Sequence, residues 1–192
     1  MKKAKRLHDE LYLKENRYEN LKENFKFIIK ILKKNINKNI NYKLLDVGCA
    51  NGELIYNLDK NFKNLKISGC DIRNDLIRKA KENLNKKIKF YQRDISKNKL
   101  VIGKFDMIIC AGTISCFDNI NLILKNLLSN LKKNGQIYIF SNLNEYDFNV
   151  FTRYEDIKYK KGVMQTGWNV WSKTTIKKFF VKKNKKVSFF KF

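Results

Sequence analysis

Two glycines and three acidic residues have the types and the spacing that a small-ligand site needs. The glycines lie in the segment Asp46-Val-Gly-Cys-Ala-Asn-Gly52, which also carries the first acid, and the other two acids are Asp71 and Asp94. Glycines four residues apart let the backbone turn sharply and approach a ligand, while the N–H groups of a following helix face that ligand. A carboxylate such as Asp71 accepts two hydrogen bonds from a ribose diol, and Asp94 can accept one from an exocyclic amine. This set predicts a nucleoside site.

The glycine loop, residues 46–52, differs from two common nucleotide-binding loops. Ala50 stands where the dinucleotide fingerprint G-x-G-x-x-G needs glycine, and no Gly-Lys-Ser/Thr follows as in a phosphate-binding P-loop. The loop is better suited to a small zwitterion that lies beside a backbone turn. The side chains of Ile72 and Ile95, next to the second and third acids, would supply apolar faces for a purine.

Short apolar runs that alternate with helix-like segments must position these residues. Strands are predicted at residues 42–48, 65–71, 88–92, 105–111, 135–141 and 186–192. Helices are predicted from Tyr18 to Ile36, from Gly52 onward, and at residues 74–84, 120–132 and 173–181. The alternation predicts an α/β fold, a mainly parallel sheet with helices on both faces. Ligands bind such a sheet outside the carboxyl ends of its strands, where the three acids lie.

The ordered motifs between residues 40 and 141 resemble the class I S-adenosylmethionine-dependent methyltransferases of the small methyltransferase-domain type. They are the glycine loop, Asp71, the Asp94-Ile95 step, the Phe105-Asp106 strand and the segment Leu131-Lys-Lys-Asn-Gly135. The resemblance implies a Rossmann-like fold, S-adenosylmethionine as the cofactor and S-adenosylhomocysteine as its product.

The resemblance also implies roles for individual residues. The glycine loop would cradle the methionine part of the cofactor, Asp71 would hold the ribose hydroxyls, and Asp94 and Ile95 would meet adenine. Ala111 and Gly112 would line the methionine and sulfonium side. The full set of cofactor positions is Asp46, Gly48, Cys49, Ala50, Gly52, Asp71, Ile72, Asp94, Ile95, Ala111 and Gly112.

The end of the chain departs from the family pattern. The family sheet closes with two strands after its last helix, whereas only residues 186–192 remain here. The C-terminal strand pair is therefore expected to be incomplete, because the sequence is truncated or because the final strand is supplied otherwise.

The length of 192 residues suits a single methyltransferase domain over residues 1–192. The domain is expected to divide into an N-terminal helical cap (1–38), a cofactor-binding core (40–141), a substrate-side insertion (142–172) and a terminal helix and strand (173–192).

The aromatic residues of the insertion (142–172) suggest that it binds the methyl acceptor. Tyr154 and Trp168 combine apolar rings with polar groups that suit a carbohydrate or another planar ligand, and Tyr18 in the cap is a third candidate. The alternative is that Trp168 and Trp171 anchor the insertion onto the core and that Tyr18 packs within the core. The Gly-Trp-Asn-x-x-Ser turn around Trp168 resembles small methyltransferases from surface-saccharide gene clusters.

The predicted activity is methyl transfer to a small-molecule acceptor, with a sugar or nucleotide-sugar hydroxyl in surface-saccharide biosynthesis as the favoured class. Methyl transfer from a sulfonium is an in-line displacement that relies on positioning, so no catalytic residue is assigned. The sequence contains no metal-binding motif. Two alternatives stay open: an RNA methyltransferase, and a non-catalytic cofactor-binding scaffold or truncated fragment.

The formal net charge of +24, from 42 basic and 18 acidic residues, attracts polyanions of any kind. Only six basic residues are arginine, and lysines run through the whole chain, which favours a lysine-rich solvated surface over a nucleic-acid footprint. The same field favours an anionic or sugar-linked small substrate.

The cellular location is predicted from the cysteines and from the N-terminus. The four cysteines form no C-x-x-C pair, which indicates a reducing compartment. Acidic residues interrupt the N-terminus where a signal peptide would be apolar, and no run approaches the roughly 20 apolar residues that cross a bilayer. A cytoplasmic protein without a membrane span is expected, and its oligomeric state is not predicted.

Overall fold

A sheet of five strands forms the centre of the fold. The structure is a computed structural model that describes residues 7–97, 101–155, 157, 162 and 164–192, with side chains from Glu10 onward. Residues 1–6 of the predicted N-terminal cap lie outside the described residues. The five strands are β1 Tyr42–Val47, β2 Leu65–Asp71, β3 Lys89–Gln92, β4 Phe105–Ala111 and β5 Leu131–Phe140.

The order of the strands creates the crevice in which a ligand can bind. The strands lie in the order β3-β2-β1-β4-β5, and every neighbouring pair is parallel. This result confirms the predicted mainly parallel α/β sheet. The chain winds from β1 outward to β3 and then builds the other half from β4, so the order reverses between β1 and β4. The carboxyl ends of these two strands form the crevice where ligands bind in such sheets.

Helices pack on both faces of the sheet, as predicted. The helices of the described residues are α1 Leu7–Lys14, α2 Glu23–Asn35, α3 Glu53–Asn61, α4 Asn74–Asn83, α5 Asn121–Ser129 and α6 Lys173–Val181. Successive strand residues point to opposite faces. Leu44 therefore packs with the apolar residues of α2, α3 and α4 in one core cluster, and Leu45 packs with those of α5 and α6 in the other.

Residues 142–172 form small strands of their own beyond the central sheet. β6 Leu143–Asn144 pairs with β9 Trp171–Ser172, and β7 Arg153–Glu155 pairs with β8 Met164–Thr166. Trp171 is buried, and its indole N–H donates to the carbonyl oxygen of Ile114 (3.2 Å). Trp171 therefore anchors this segment to the core, whereas Trp168 is 46% exposed.

The helix predicted from Tyr18 begins only at Glu23. The hydroxyl of Tyr18 donates to the carbonyl oxygen of Asn51 (2.8 Å), and Nδ2 of Asn57 donates to the carbonyl oxygen of Tyr18 (2.8 Å). These contacts with the chain after β1 hold the segment before Glu23 outside the helix. Apolar spacing alone does not reveal them.

The junction between α5 and β5 also differs from the prediction. α5 ends at Ser129 rather than at 132, and β5 begins at Leu131 rather than at 135. Oδ1 of the buried Asn130 accepts hydrogen bonds from the backbone N–H groups of Ile102 (2.9 Å) and Gly103 (3.3 Å). This side chain ties the end of the helix to the segment before β4. A register shift between β4 and β5 accommodates the early start of the strand.

The strand predicted at residues 186–192 is wrong. This tail pairs with no strand, and within the described residues the central sheet ends at β5. Phe192 packs edge-on against the rings of Phe27 and Phe140, with ring centres 5.4 and 5.6 Å apart. Alternating apolar residues form a strand only where a neighbouring backbone pairs with them, and aromatic contacts hold the tail without such pairing.

None of the helices in the described stretches is long and apolar enough to cross a lipid bilayer.

The close packing of α3 on β2 depends on Gly69. A Cβ atom at this position would lie 2.6 Å from Cδ1 of Ile55, 2.8 Å from Sγ of Cys49 and 3.0 Å from Cδ1 of Phe90. We expect Gly69→Ala to lower the free energy of unfolding by about 1–3 kcal/mol, because three packed side chains must move. Urea denaturation measures this change. The neighbouring Ser68→Ala, which removes volume, is the control, and an equal loss in both variants would contradict overpacking as the cause.

Candidate functional site

The glycine loop joins β1 to α3 in the crevice of the sheet. Gly48 and Gly52 have φ angles of +74° and +86°. A Cβ atom at Gly48 would lie 2.0 Å from Oγ1 of Thr113, which itself donates to the carbonyl oxygen of Val47 (3.0 Å). Both the dihedral angle and the lack of space therefore require glycine at position 48. Ala50 adopts a φ of +48°, so the loop keeps a left-handed turn where a side chain is present.

Backbone hydrogen bonds attach the loop to the end of β2. The N–H groups of Gly48 and Cys49 both donate to the carbonyl oxygen of Cys70, at 2.8 and 3.1 Å. The next N–H group, that of Ala50, donates to Oδ2 of Asp71 (3.0 Å). The first turn of the loop is thus held against β2.

Asp71 is fixed by hydrogen bonds on both carboxylate oxygens. Oδ2 accepts from Ala50, and Oδ1 accepts from the backbone N–H of Arg73 (2.9 Å). These two bonds fix the orientation of the carboxylate, whose oxygens are hydrogen-bond acceptors of the kind that ligand hydroxyls need. The position at the end of β2 therefore suits the predicted contact with a ribose diol.

Asp46 is the buried acid of the site. Its side chain is 3% exposed, in the strand at the middle of the sheet. Burial, and secondly the charge of Asp71, raise the pKa of Asp46 from 3.8 to about 7. Burial likewise raises the pKa of the Cys49, Cys70 and Cys110 thiols. These thiols stay protonated at neutral pH and are poor nucleophiles.

A cavity of about 30 Å³ lies beside the glycine loop. It brings together five of the predicted cofactor positions, Asp46, Gly48, Cys49, Ala50 and Ala111. Tyr12 and Phe25 from the N-terminal segment line it together with Asn51, Glu53 and Leu54. A larger surface groove of about 650 Å³ between α2 and α3 is lined by none of the predicted cofactor positions.

The sequence analysis missed two polar residues that connect the loop to the N-terminal segment. Asn51 and Glu53 are both buried. Nδ2 of Asn51 donates to the carbonyl oxygen of Tyr12 (3.1 Å) and lies 3.4 Å from Oε1 of Glu53. That carboxylate oxygen also accepts the backbone N–H of Arg17 (3.0 Å). The one signal in the sequence is an acid at the start of the apolar face of α3, which alone does not reveal a partner.

Four further predicted cofactor positions differ in their exposure and in their hydrogen bonds. The N–H of Gly112 donates to the carbonyl oxygen of Phe140 (2.7 Å). Gly112 has a φ of +76°, and a Cβ atom added there would meet no atom within 4 Å. Oδ1 of Asp94 accepts from the N–H (2.9 Å) and hydroxyl (2.6 Å) of Ser96. Ile72 is exposed, whereas the side chain of Ile95 is buried in the core cluster of α5 and α6. Of the two isoleucines, only Ile72 presents an exposed side chain, and the contact of Ile95 with a purine stays a prediction.

The candidate acceptor residues fall into two places. The rings of Tyr154 and Trp168 lie 5.1 Å apart, and the hydroxyl of Tyr154 donates to Oε1 of Gln165 (2.9 Å). Tyr18 is buried under the glycine loop against Tyr56, with ring centres 5.2 Å apart. Burial raises the pKa of Tyr18 to about 12, so its hydroxyl stays protonated and keeps its bond to the loop. Only the first two candidates lie together.

The described side chains contain no group of three or more His, Cys, Asp or Glu residues that could hold a metal ion.

The fold and the site together define a class of protein. A parallel sheet in this order, a glycine loop at its switch point and an acid at the end of β2 are the features of a class I S-adenosylmethionine-dependent methyltransferase. The family described as "Methyltransferase domain" matches residues 38–186, more than half of the chain. The chain belongs to this family, which confirms the resemblance seen in the motifs and S-adenosylmethionine as the cofactor.

Individual relatives are more distant. The malonyl-[acyl-carrier protein] O-methyltransferase of Bacillus anthracis is 27% identical over 144 residues, which are 74% of this chain and 50% of that protein. The chain thus spans half or less of the length of the curated relatives that it matches.

Solved structures share the fold. A chain of the complex between the Haloferax volcanii Trm112 methyltransferase activator and a partner protein has a TM-score of 0.66 at 12% identity, over 93% of this chain and 76% of that chain. The O-methyltransferase of a Brevibacillus brevis trans-AT PKS multienzyme was solved with S-adenosyl-L-homocysteine. It has a TM-score of 0.60 at 16% identity, over 81% of this chain and 50% of that chain.

The raised pKa of Asp46 predicts a pH-dependent stability. Between pH 3.8 and about 7 the unfolded chain has released this proton and the folded chain has not. The stability that the bound proton contributes is complete below 3.8 and is lost as the pH rises through about 7. Relative to Asp46→Asn, which does not titrate, we expect the free energy of unfolding to fall by about 1.4 kcal/mol per pH unit in this interval. Urea denaturation at several pH values measures it, and a pH-independent difference would contradict the assignment.

Proposed function

We propose that the protein transfers a methyl group from S-adenosylmethionine to an ionised oxygen of a small anionic acceptor. The observation that carries this proposal is that Glu53, a buried acid of the cavity at the glycine loop, is already engaged by the backbone N–H of Arg17 and the side chain of Asn51. Glu53 is therefore not free to remove a proton from a neutral hydroxyl, and Asp46 would serve as the counter-charge of the cofactor. An acceptor that is ionised before it binds avoids this requirement.

The residues of the loop and of the strand ends would hold the cofactor, which supplies an electrophilic methyl group on a sulfonium when bound. Asp71 would accept the ribose hydroxyls with a carboxylate that two backbone N–H groups hold in place. Ile72 would cover the purine with its exposed side chain, and Asp94 would accept from the exocyclic amine. Asp46, once ionised, would offset the positive charge of the ligand. Gly48 and Gly112 would let the backbone approach it.

A carboxylate is the acceptor group that these residues favour. It is ionised at neutral pH, so positioning alone can accelerate its in-line attack. Glu53 is not available as a base, because its Oε1 accepts the N–H of Arg17 and its Oε2 lies 3.8 Å from Nζ of Lys22. The name of the Bacillus anthracis relative specifies O-methylation of a malonyl group, whose free nucleophile is a carboxylate.

A sugar or nucleotide-sugar hydroxyl is the second candidate acceptor. The Tyr154–Trp168 pair supports it, because the two rings are adjacent and Trp168 is 46% exposed. Such a pair suits the apolar face of a sugar. In this proposal residues 142–172 are the substrate-side insertion of a single domain, residues 1–38 its cap, and 173–192 its terminal segment. The four cysteines are free thiols, which supports the expected cytoplasmic location.

Transfer of a labelled methyl group from S-adenosylmethionine tests the choice of acceptor. We expect label in a malonyl thioester and none in the matched acetyl thioester, which lacks the free carboxylate. Nucleotide sugars and RNA are assayed beside them. Label in a nucleotide sugar alone would favour the second candidate, label in RNA alone would favour an RNA methyltransferase, and tight cofactor binding without any transfer would favour a scaffold.

The role of Asp71 can be tested by cofactor binding alone. We expect Asp71→Asn to weaken the binding of S-adenosylmethionine and S-adenosylhomocysteine by about tenfold or more, because an amide accepts fewer and weaker hydrogen bonds than a carboxylate. Calorimetric titration gives the dissociation constants, and thermal unfolding shows whether the loop still folds. Asp59→Asn on α3 makes the same change of charge and serves as the control. An unchanged affinity in a folded Asp71→Asn protein would refute the ribose contact.

A further inference from the structure

The C-terminal segment Lys173–Phe192 combines a strong positive charge with exposed aromatic rings. Its 20 residues contain eight lysines and no aspartate or glutamate, which is a third of the net charge of +24. α6 buries Ile176 and Phe180 against the core, whereas Phe190 is 66% exposed. One side of the segment is thus attached to the protein, and the other presents lysines and phenylalanine to the solvent.

Residues 145–148, which follow β6, extend the same surface. Lys173 joins the two segments, because its Nζ donates to Oε1 of Glu145 (2.6 Å) and lies 5.6 Å from the ring centre of Phe189. The rings of Tyr146 and Phe148 stack with their centres 5.6 Å apart, and the two residues are 69% and 57% exposed. Two stacked rings in water form an apolar surface that folding has left uncovered.

A further lysine acts electrostatically on the same carboxylate. Lys173 and, more weakly, Lys191 lower the pKa of Glu145. Lys173 thus links the segment of Tyr146 and Phe148 to Phe189, and the exposed residues Phe190 and Lys191 follow Phe189 directly in the chain, which gives one continuous stretch of surface. We call it the aromatic–lysine patch; it consists of Tyr146, Phe148, Lys173, Phe189, Phe190 and Lys191.

The composition of this patch matches the chemistry of a lipid surface. Phenylalanine and tyrosine rings favour the boundary between headgroups and acyl chains, and lysine stems reach along apolar surface while their amines stay with the phosphates. Clusters of four to eight lysines beside an anionic bilayer bind its lipids. Exposed apolar patches rimmed by polar groups mark interaction or membrane surfaces.

We propose that the aromatic–lysine patch binds the surface of an anionic lipid bilayer. The rings enter the headgroup boundary, and the lysines of the patch and of residues 173–192 contact lipid phosphates. The segment contains lysine and no arginine, and arginine is the residue suited to bidentate contacts with nucleic acid, so the composition favours lipid. The proposal is independent of the methyl acceptor, because binding to a surface needs no turnover.

Vesicle flotation with the full chain tests the contribution of the rings. We expect binding to phosphatidylcholine vesicles that contain phosphatidylglycerol and little binding to phosphatidylcholine alone. The double variant Phe148→Ser/Phe190→Ser should bind about tenfold more weakly or worse, because two rings no longer enter the headgroup boundary. The matched control is Ile40→Ser/Val101→Ser, which removes exposed apolar side chains that precede β1 and β4. Equal weakening in both double variants would overturn the proposal.

Charge reversal at two places separates local binding from the attraction of the whole protein. Lys186→Glu/Lys191→Glu and Lys30→Glu/Lys34→Glu lower the net charge equally, the first in the tail and the second on α2. We expect the tail variant to lose at least about tenfold more affinity for the vesicles than the α2 variant, because charges near the bilayer contribute most to binding. Equal losses would show attraction by the net charge alone and would overturn the proposal. Binding of polyuridine or of a second copy of the chain through this patch, without binding of vesicles, would also overturn the proposal.

Discussion

The site depends on the attachment of the glycine loop to the end of β2. Three consecutive N–H groups, those of residues 48, 49 and 50, donate to acceptors on Cys70 and Asp71. This arrangement requires the register in which Val47 pairs with Cys70 and Asp46 pairs with Gly69. A slip of one residue would turn Asp71 to the other face of the sheet and leave the loop without its acceptors. The parallel pairing of β1 and β2 therefore positions the cofactor side of the site before any ligand binds.

The same pairing accounts for the unusual state of Asp46. β1 has a neighbouring strand on both sides, so Asp46 lies between Gly69 and Ile109 and meets almost no water. A charged carboxylate is costly there, and the pKa rises to about 7. A cationic ligand in the adjacent cavity would stabilise the ionised form. The protein thus keeps a buried acid that is unfavourable in the free fold and favourable once a positive charge is bound.

The central strands could be predicted from the sequence because they are buried on both faces and appear as short apolar runs. β2 and β4 have the predicted bounds, and the predicted order of acids at the strand ends places Asp71 beside the loop. Features that depend on distant partners could not be predicted in this way. Asn130 ends α5 through bonds to the segment before β4, and the tail at 186–192 lacks a strand with which to pair.

Polar side chains near the site show the same limit. Asn51 and Glu53 look like ordinary helix-start residues in the sequence, and they are buried only because the N-terminal segment folds over them. Ile95 follows a strand and looks available to a ligand, yet α5 covers its side chain and Nδ2 of Asn126 donates to its carbonyl oxygen (2.7 Å). Local patterns therefore identify which elements meet at the site, whereas tertiary packing decides which side chains remain open to a ligand.

The distribution of charge gives the two sides of the proposed reaction opposite environments. Around the glycine loop lie the acids Asp46, Asp71 and Glu53, which suit a cofactor that carries a sulfonium and an ammonium group. The surface carries the net charge of +24 and suits an anionic acceptor or an anionic lipid. A net charge attracts every anion, and so local features must distinguish the partners. Exposed rings at the patch and the buried acids at the loop are the local features that distinguish one partner from another.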